Sequence, residues 1–329
     1  MNHKVLNAAE LEKWISAAVA APSLHNSQPW TFRLDTDTTS LEVRAAPERG
    51  LRAVDATGRA LHLSVGAAVF NLRVAVAHSG WLPLTRLLPD PDDPGLLARV
   101  RIAPAVVRAT PGHRPDLFDV IWRRHSSRFP FSDRPVPADV RAELAEAAHA
   151  NGAVLTFPGP AERAVALRLT AEAEQRNRKD AVRGAESRRW VRRDGCQDTV
   201  GAGMPRAVLG PQDARDVVPM RDFTARRHRD TLPAQDFERT PAIAVLTTSH
   251  DRRADWLRAG QALEHVLLVA TAHQVRSSLL HQAMEWPDLR RKLSASPDHL
   301  GHAHMVVRLG YGPEGPATPR RPWGDVYAE

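Results

Sequence analysis

A chain of 329 residues, 43% hydrophobic and 25% charged, can bury a sizeable core and has an ordinary globular composition. Its formal charge of +7 and sequence pI near 10.3 come mostly from dispersed arginine, and no helix-turn-helix, zinc-finger or basic–aromatic pattern marks a nucleic-acid binder. The single cysteine, Cys196, excludes an intrachain disulfide and a multi-cysteine metal site. The N-terminus lacks signal-peptide order and no uncharged span reaches bilayer length, so the expectation is a cytoplasmic protein.

Leu6 to Ala21 reads as a helix, because Leu11, Trp14, Ile15, Ala18 and Val19 recur at three- and four-residue intervals and Pro22 stops it. The polar stretch SLHNSQPW follows. Residues 31–34 and 41–44 alternate as strands around a DTDTTS turn. Arg59 to His78 carries one apolar face, through Leu61, Val65, Ala68, Val69, Leu72 and Val76. Residues 82–88 and 98–103 are the next strands, split by a proline- and aspartate-rich loop.

A new unit begins at Arg114, placing the expected domains at 1–113 and 114–329. It opens with a short helix at 117–124 and a polar connection to Pro137. A helix at 137–151, the strand AVLTF and a charged helix at 161–181 come next. Residues 183–240 have no clear periodicity, and a stretch this long reads either as an active-site cover or as an insertion. Regular structure resumes with an apolar strand at 242–247 and a helix at 256–272. Strands at 277–280 and 305–309 follow, and the proline-rich tail from Gly310 is expected to wrap the surface. GAAVFNLRVAVAHSGW from Gly66 matches the pattern of GQALEHVLLVATAHQV from Gly260, with Gly66 against Gly260, Ala68 against Ala262 and Val69 against Leu263. Internal duplication is one account of this match; two unrelated amphipathic helices are the other.

Chemistry concentrates in three stretches. APSLHNSQPW offers Pro22, Ser23, His25, Asn26 and Gln28. WRRHSSRFPF offers Arg124, His125, Ser126 and Arg128, a group suited to gripping phosphate through charge-assisted bonds. VRLGYGPEGPATPRRP adds Arg308 and either Arg320 or Arg321, between which spacing does not choose. His299, His302 and His304 lack any zinc-site signature, and no GxSxG or GxGxxG motif occurs.

The order and spacing of APSLHNSQPW resemble the flavin-contacting motif of nitroreductase-like FMN proteins, and RRHSSR resembles their phosphate and ribityl motif. The whole chain resembles the Acg type, with two fused nitroreductase-like halves. The resemblance implies an α+β fold with antiparallel or mixed sheets covered by helices, built as an intramolecular pseudo-dimer. It also implies that a monomer suffices for one composite FMN site per chain. Arg124, His125, Ser126, Arg128, Arg308 and Arg320 or Arg321 would grip phosphate and ribityl; Pro22, Ser23, His25 and Asn26 would face the ring. Ser277 and Ser278 stand where relatives contact the flavin, without the glutamate often found there. Gln28 would fix the loop. The implied activity is NAD(P)H-dependent reduction of a nitro compound, quinone or similar acceptor through FMN, with no obligatory catalytic side chain and no metal. The alternative is an FMN storage, sequestration or stress-response protein without turnover.

Overall fold

The first helix, α1 (Ala8–Val19), is capped by the Asn7 side chain accepting from the Glu10 amide at 2.9 Å, and it buries Trp14 and Ile15 completely. It lies with α2 (Arg59–His78) on one face of a five-stranded sheet. That sheet runs β3 (Trp81–Leu87), β4 (Leu96–Pro104), β2 (Ser40–Ala45), β1 (Trp30–Asp35) and β9 (Tyr327–Ala328), antiparallel except for the parallel β1–β9 pair. Alternation in β1 and β2 sends Phe32, Leu41 and Val43 into the core and leaves Arg33, Glu42 and Arg44 on the opposite face. The computed structural model describes residues 7–104, 117–192, 201–223, 234–295 and 301–328.

The second sheet has four antiparallel strands in the order β5 (Val154–Thr156), β6 (Ala242–Thr248), β8 (His302–Gly310) and β7 (Arg276–Leu280). Helices α4 (Ala138–His149) and α7 (Arg253–Ala272) cover one face, against Ala244, Leu246 and Val307. Helices α5 (Pro160–Lys179) and α8 (Pro287–Ser294) cover the other, against Ile243, Val245 and Val306. Burial on both faces explains why β6 reads as a continuous apolar run.

The two sheet-and-helix modules meet where α2 crosses α7. A Cβ on Gly66 would run into Leu257 O and lie 3.0 Å from Gly260 Cα; one on Gly260 would run into Leu63 O and lie 2.9 Å from Gly66 Cα. The contact is reciprocal, as in an isologous dimer interface, and it joins the two glycines that the internal match aligns. The fold is α+β, with two sheets flanked by helices as expected. By length and hydropathy α2 is the one membrane-span candidate among the described residues, but most of it is buried inside the protein.

Three elements depart from the sequence expectation. The charged helix ends at Lys179 and a separate α6 (Ala181–Arg189) follows, because Asp180 leaves the helical region and caps the amides of Val182 and Arg183. Residues 183–240 therefore begin as helix. The short helix after Arg114 is α3 (Leu117–Ile121), which stops before Arg124 and sends Phe118, Val120 and Ile121 into the core of the first sheet. The tail does more than wrap the surface: Val326 is buried in that same core and residues 327–328 form β9.

Candidate functional site

The loop after α1 has an unusual backbone. His25, Asn26 and Gln28 all have positive φ, at 54°, 55° and 51°. For side chains other than glycine this costs about 1 kcal/mol each and persists only where the surroundings impose it. Here the fixing contacts are visible. Ser23 Oγ accepts from the Gln28 amide at 2.9 Å. Asn26 Nδ2 donates to Gly203 O at 2.8 Å and Pro319 O at 2.9 Å. Gln28 Nε2 donates to Gly201 O at 2.8 Å, and Gln28 Oε1 accepts from the Arg321 amide at 2.9 Å. The two amides thus fasten residues 201–203 and the tail onto the loop, and the shortest bonds of Gln28 go to main chain.

Two adjoining clefts open against this loop. The first is polar and encloses about 530 Å³; Pro22, Ser23, His25, Asn26, Arg124, His125, Ser126, Arg128 and Arg320 all line it. The second encloses about 630 Å³ and is mainly apolar, with Leu63, Ala67, Leu263, Leu279 and Met305 in its walls and Arg221, Phe223, His281 and Gln282 at its border. Pro22, Ser23, His25, Arg128 and Leu279 line both, so the clefts are continuous.

Positive charge converges on the polar cleft. Arg124 Nη2 and Arg320 Nη2 both donate to Ala20 O, at 3.1 and 3.2 Å, and Arg320 Nη1 also donates to Asn26 Oδ1 at 3.1 Å. The buried carboxylate beside them is Glu264, whose Oε1 lies 3.3 Å from Arg124 Nε. Burial and the neighbouring Arg124 bring the Arg320 guanidinium down to about 9. Burial, then Arg124 and Arg320, lowers His125. His25 is 4% exposed, and neither ring nitrogen has a hydrogen-bond partner. Burial, followed by Arg221, holds its imidazole neutral, and its ring meets Phe223 edge to face at 5.3 Å.

Arg221 and Phe223 form part of the wall of the apolar cleft. Arg221 is held by a buried two-pronged pair with Glu285, and Glu285 also bonds His281 Nδ1 at 3.2 Å. Arg128 Nη1 donates to Val208 O at 2.9 Å, and its guanidinium lies 5.0 Å over the Phe223 ring. From the described part of the irregular region, Met204, Val208, Arg221 and Phe223 line the clefts, whereas Cys196 and His299 fall outside the described residues.

Four expected site residues stand elsewhere. Arg308 is fully buried, pairs with Glu238 through Nε at 2.5 Å and Nη2 at 2.7 Å, and lies 3.9 Å over the Phe131 ring. It also donates to Phe129 O at 3.0 Å, so it orders the exit of the RRHSSR segment without lining a cleft. Ser277 and Ser278 are buried in β7; Ser277 O accepts from the Ser127 amide at 2.8 Å, and the next residue, Leu279, is the one that lines the clefts. Arg321 points into an outer cleft with Trp122 and Trp323, so Arg320 is the tail arginine on the polar cleft. Glu264, Arg221, Phe223 and His281 also belong to the site, outside the three motif stretches. A lone glutamate inside the apolar run QALEHVLL was the available signal for the first.

The residues beside the two aligned glycines differ between α2 and α7. On α2 the cleft-lining residues Ala60, Ser64 and Ala67 are small. Six and two residues before, and one after, Gly260, their α7 counterparts are Ala254, Arg258 and Gln261. Gln261 Oε1 accepts from Arg73 Nη1 at 2.7 Å, which also bonds Asn151 Oδ1 at 3.2 Å. Two of the three small positions on α2 are thus larger polar residues on α7.

Comparison with profiles of known protein families matches none. Among individual proteins, the chain is 33% identical over 339 aligned positions to the putative NAD(P)H nitroreductase Rv3131 of Mycobacterium tuberculosis H37Rv, covering 99% of this chain and 93% of that one. The chain belongs to the nitroreductase family. A second family member of the same organism, the putative NAD(P)H nitroreductase acg, is 32% identical over 321 positions, covering 95% of this chain and 93% of its own. In fold, a crystal structure of a putative nitroreductase from Anabaena variabilis matches 94% of this chain and 90% of its own at a TM-score of 0.50, with 12% identity.

Proposed function

We propose that the two clefts hold one FMN per chain and that the protein is an NAD(P)H-dependent oxidoreductase delivering electrons to a nitro compound, quinone or similar acceptor. The observation carrying this reading is the convergence of residues 22–26, residues 124–128 and Arg320 on one polar cleft that opens into an apolar one. The donor set fits the group. A phosphate needs cations and hydroxyls, supplied by Arg124, Arg128, Arg320 and Ser126; a flat ring needs apolar walls, supplied by Leu63, Leu263, Leu279 and Met305. His25 brings a buried, unpartnered imidazole to the junction, a costly arrangement unless a ligand satisfies it.

FMN held there supplies the hydride and single-electron chemistry. The chain's residues bind, orient and exclude water. Neutral His25 has one N–H and one acceptor nitrogen to offer a polar ring edge. Phe223 and the aliphatic walls keep water from the ring. In this reading residues 1–113 supply the ring-facing loop and residues 114–329 the phosphate grip, so the pseudo-dimer makes one site and a monomer suffices.

A second reading, an FMN holder without turnover, is favoured by one observation: the buried Arg221–Glu285 pair fixes the segment that brings Phe223 to the wall of the apolar cleft. The visible spectrum and FMN content of the reconstituted chain test the first step, and less than about half an FMN per chain overturns it. Anaerobic mixing with NADH and NADPH separates the readings. Rapid bleaching identifies the oxidoreductase, and indifference to both identifies the holder.

A further inference from the structure

Glu264 is out of place in its helix. It sits among Leu263, Val266 and Leu267 with no exposed surface, and neither carboxylate oxygen has a hydrogen bond of ordinary geometry. At the matching position of α2 stands Phe70, stacked on His265 at 4.7 Å. A buried carboxylate costs several kcal/mol unless closely paired, so a glutamate here needs a reason. The nearest cation is Arg124, 3.3 Å away and itself only 3% exposed. Arg124 and Arg320 converge on one carbonyl, so two guanidinium charges act on this one carboxylate.

Resting on the FMN reading above, we propose that Glu264 is a positioning residue for the phosphate site. It neutralises and orients Arg124 while no phosphate is bound, and it takes up a proton when the FMN phosphate engages Arg124 and Arg320. Phosphate binding is then coupled to protonation of a residue that never touches the ligand.

The groups that act on Glu264 come from three elements: Arg124 after α3, Asn71 on α2 and Arg320 in the tail. Burial raises its carboxyl to about 7, and the two arginines oppose that rise. At pH 8 the carboxylate is therefore charged in the free protein. A phosphate dianion arriving at the same arginines adds negative charge and withdraws their compensation, which drives a proton onto Glu264. Binding takes up a proton, so affinity falls as pH rises above about 7. The window closes near pH 9, where Arg320 begins to lose its own proton. Below about pH 6 the phosphate itself gains a proton. His125, also on the cleft, has its titration moved further down, away from this window.

The test is titration of the apoprotein with FMN and with riboflavin, which lacks the phosphate, from pH 7 to pH 8.5, in the wild type and E264Q. FMN affinity of the wild type is expected to weaken by about tenfold across the range, and that of E264Q by less than about twofold. Riboflavin affinity should be flat in both. Calorimetry at pH 8 in buffers of different ionisation enthalpy should show uptake approaching one proton on FMN binding to the wild type, a measurement that needs no variant. Equal pH slopes in wild type and E264Q, or FMN binding without proton uptake, overturn the proposal. Failure of the wild type to bind FMN at any pH would instead overturn the FMN reading.

Discussion

Gly66 and Gly260 face each other across the α2–α7 crossing, each closed in by a carbonyl three residues before the other, Leu257 O and Leu63 O. No side chain fits between them. Because each helix packs on its own sheet, this contact fixes the separation of the two modules and so the width of the clefts beside Leu63 and Leu263. Adding a methyl group meets main chain, which yields less readily than a side-chain tip. G66A and G260A should each destabilise the protein by about 3 kcal/mol, at the upper end of ordinary overpacking. Urea unfolding of the two variants checks this, and an unchanged midpoint would mean the helices separate freely.

Arg124 is the arginine on which both the polar cleft and Glu264 depend. R124A should weaken FMN binding by about 10- to 100-fold, the range of one or two charge-assisted bonds to phosphate, and leave riboflavin within about threefold. Equal losses for both ligands would place the effect on the ring site or on folding.

Gln28 should matter for architecture more than for ligand contact. Its amide joins Gly201 O and the Arg321 amide from a position with no exposed surface. Q28L leaves the buried Gly201 carbonyl and the part-buried Arg321 amide unpaired and should cost about 2–4 kcal/mol by thermal or urea unfolding. Stability close to the wild type would show that water replaces the side chain.

Phe223, in the wall of the apolar cleft, gives a prediction about access. F223A removes the ring lying against His25 and under Arg128, opening the apolar cleft. FMN should dissociate about tenfold faster, equivalent to roughly 1.4 kcal/mol of lost contact. In the holder reading, bleaching by NADPH should appear where the wild type shows none. Stopped-flow absorbance measures both, and an unchanged dissociation rate would show that Phe223 does not retain FMN.

Stability should fall in two stages on acidification. Burial, against the bond to Glu285, lowers His281 to about 4, so its contribution is full above its unfolded value of 6.5 and is lost as pH falls through about 4. Glu285 is carried below its ordinary 4.5 to about 2 by Arg221 and His281, which outweigh burial, and its contribution goes as pH falls through about 2. The denaturation midpoint of the wild type should therefore drop between pH 6.5 and 4 and again below 4.5. H281Q should flatten the first limb relative to the wild type. Identical profiles would show that burial does not lower His281.

The sequence by itself determined the parts whose signal is local. Periodicity placed α2 at residues 59–78, the apolar run placed β6, and the internal match aligned two glycines that touch in the fold. The resemblance carried by APSLHNSQPW and RRHSSR brought forward eight residues that line one polar cleft. Local signals could not place contacts between distant segments. Arg308 has the charge of a phosphate ligand, but Glu238 and Phe131 claim it, a pairing set by how β8 packs under residues 129–131. Tertiary structure also chose Arg320 over Arg321, turned the tail into β9, and put Glu264 behind Arg124. A side chain's chemistry is written in its own residue; its partner depends on chain brought near by folding. What organises the site is a set of such pairings, closed when α2 and α7 cross.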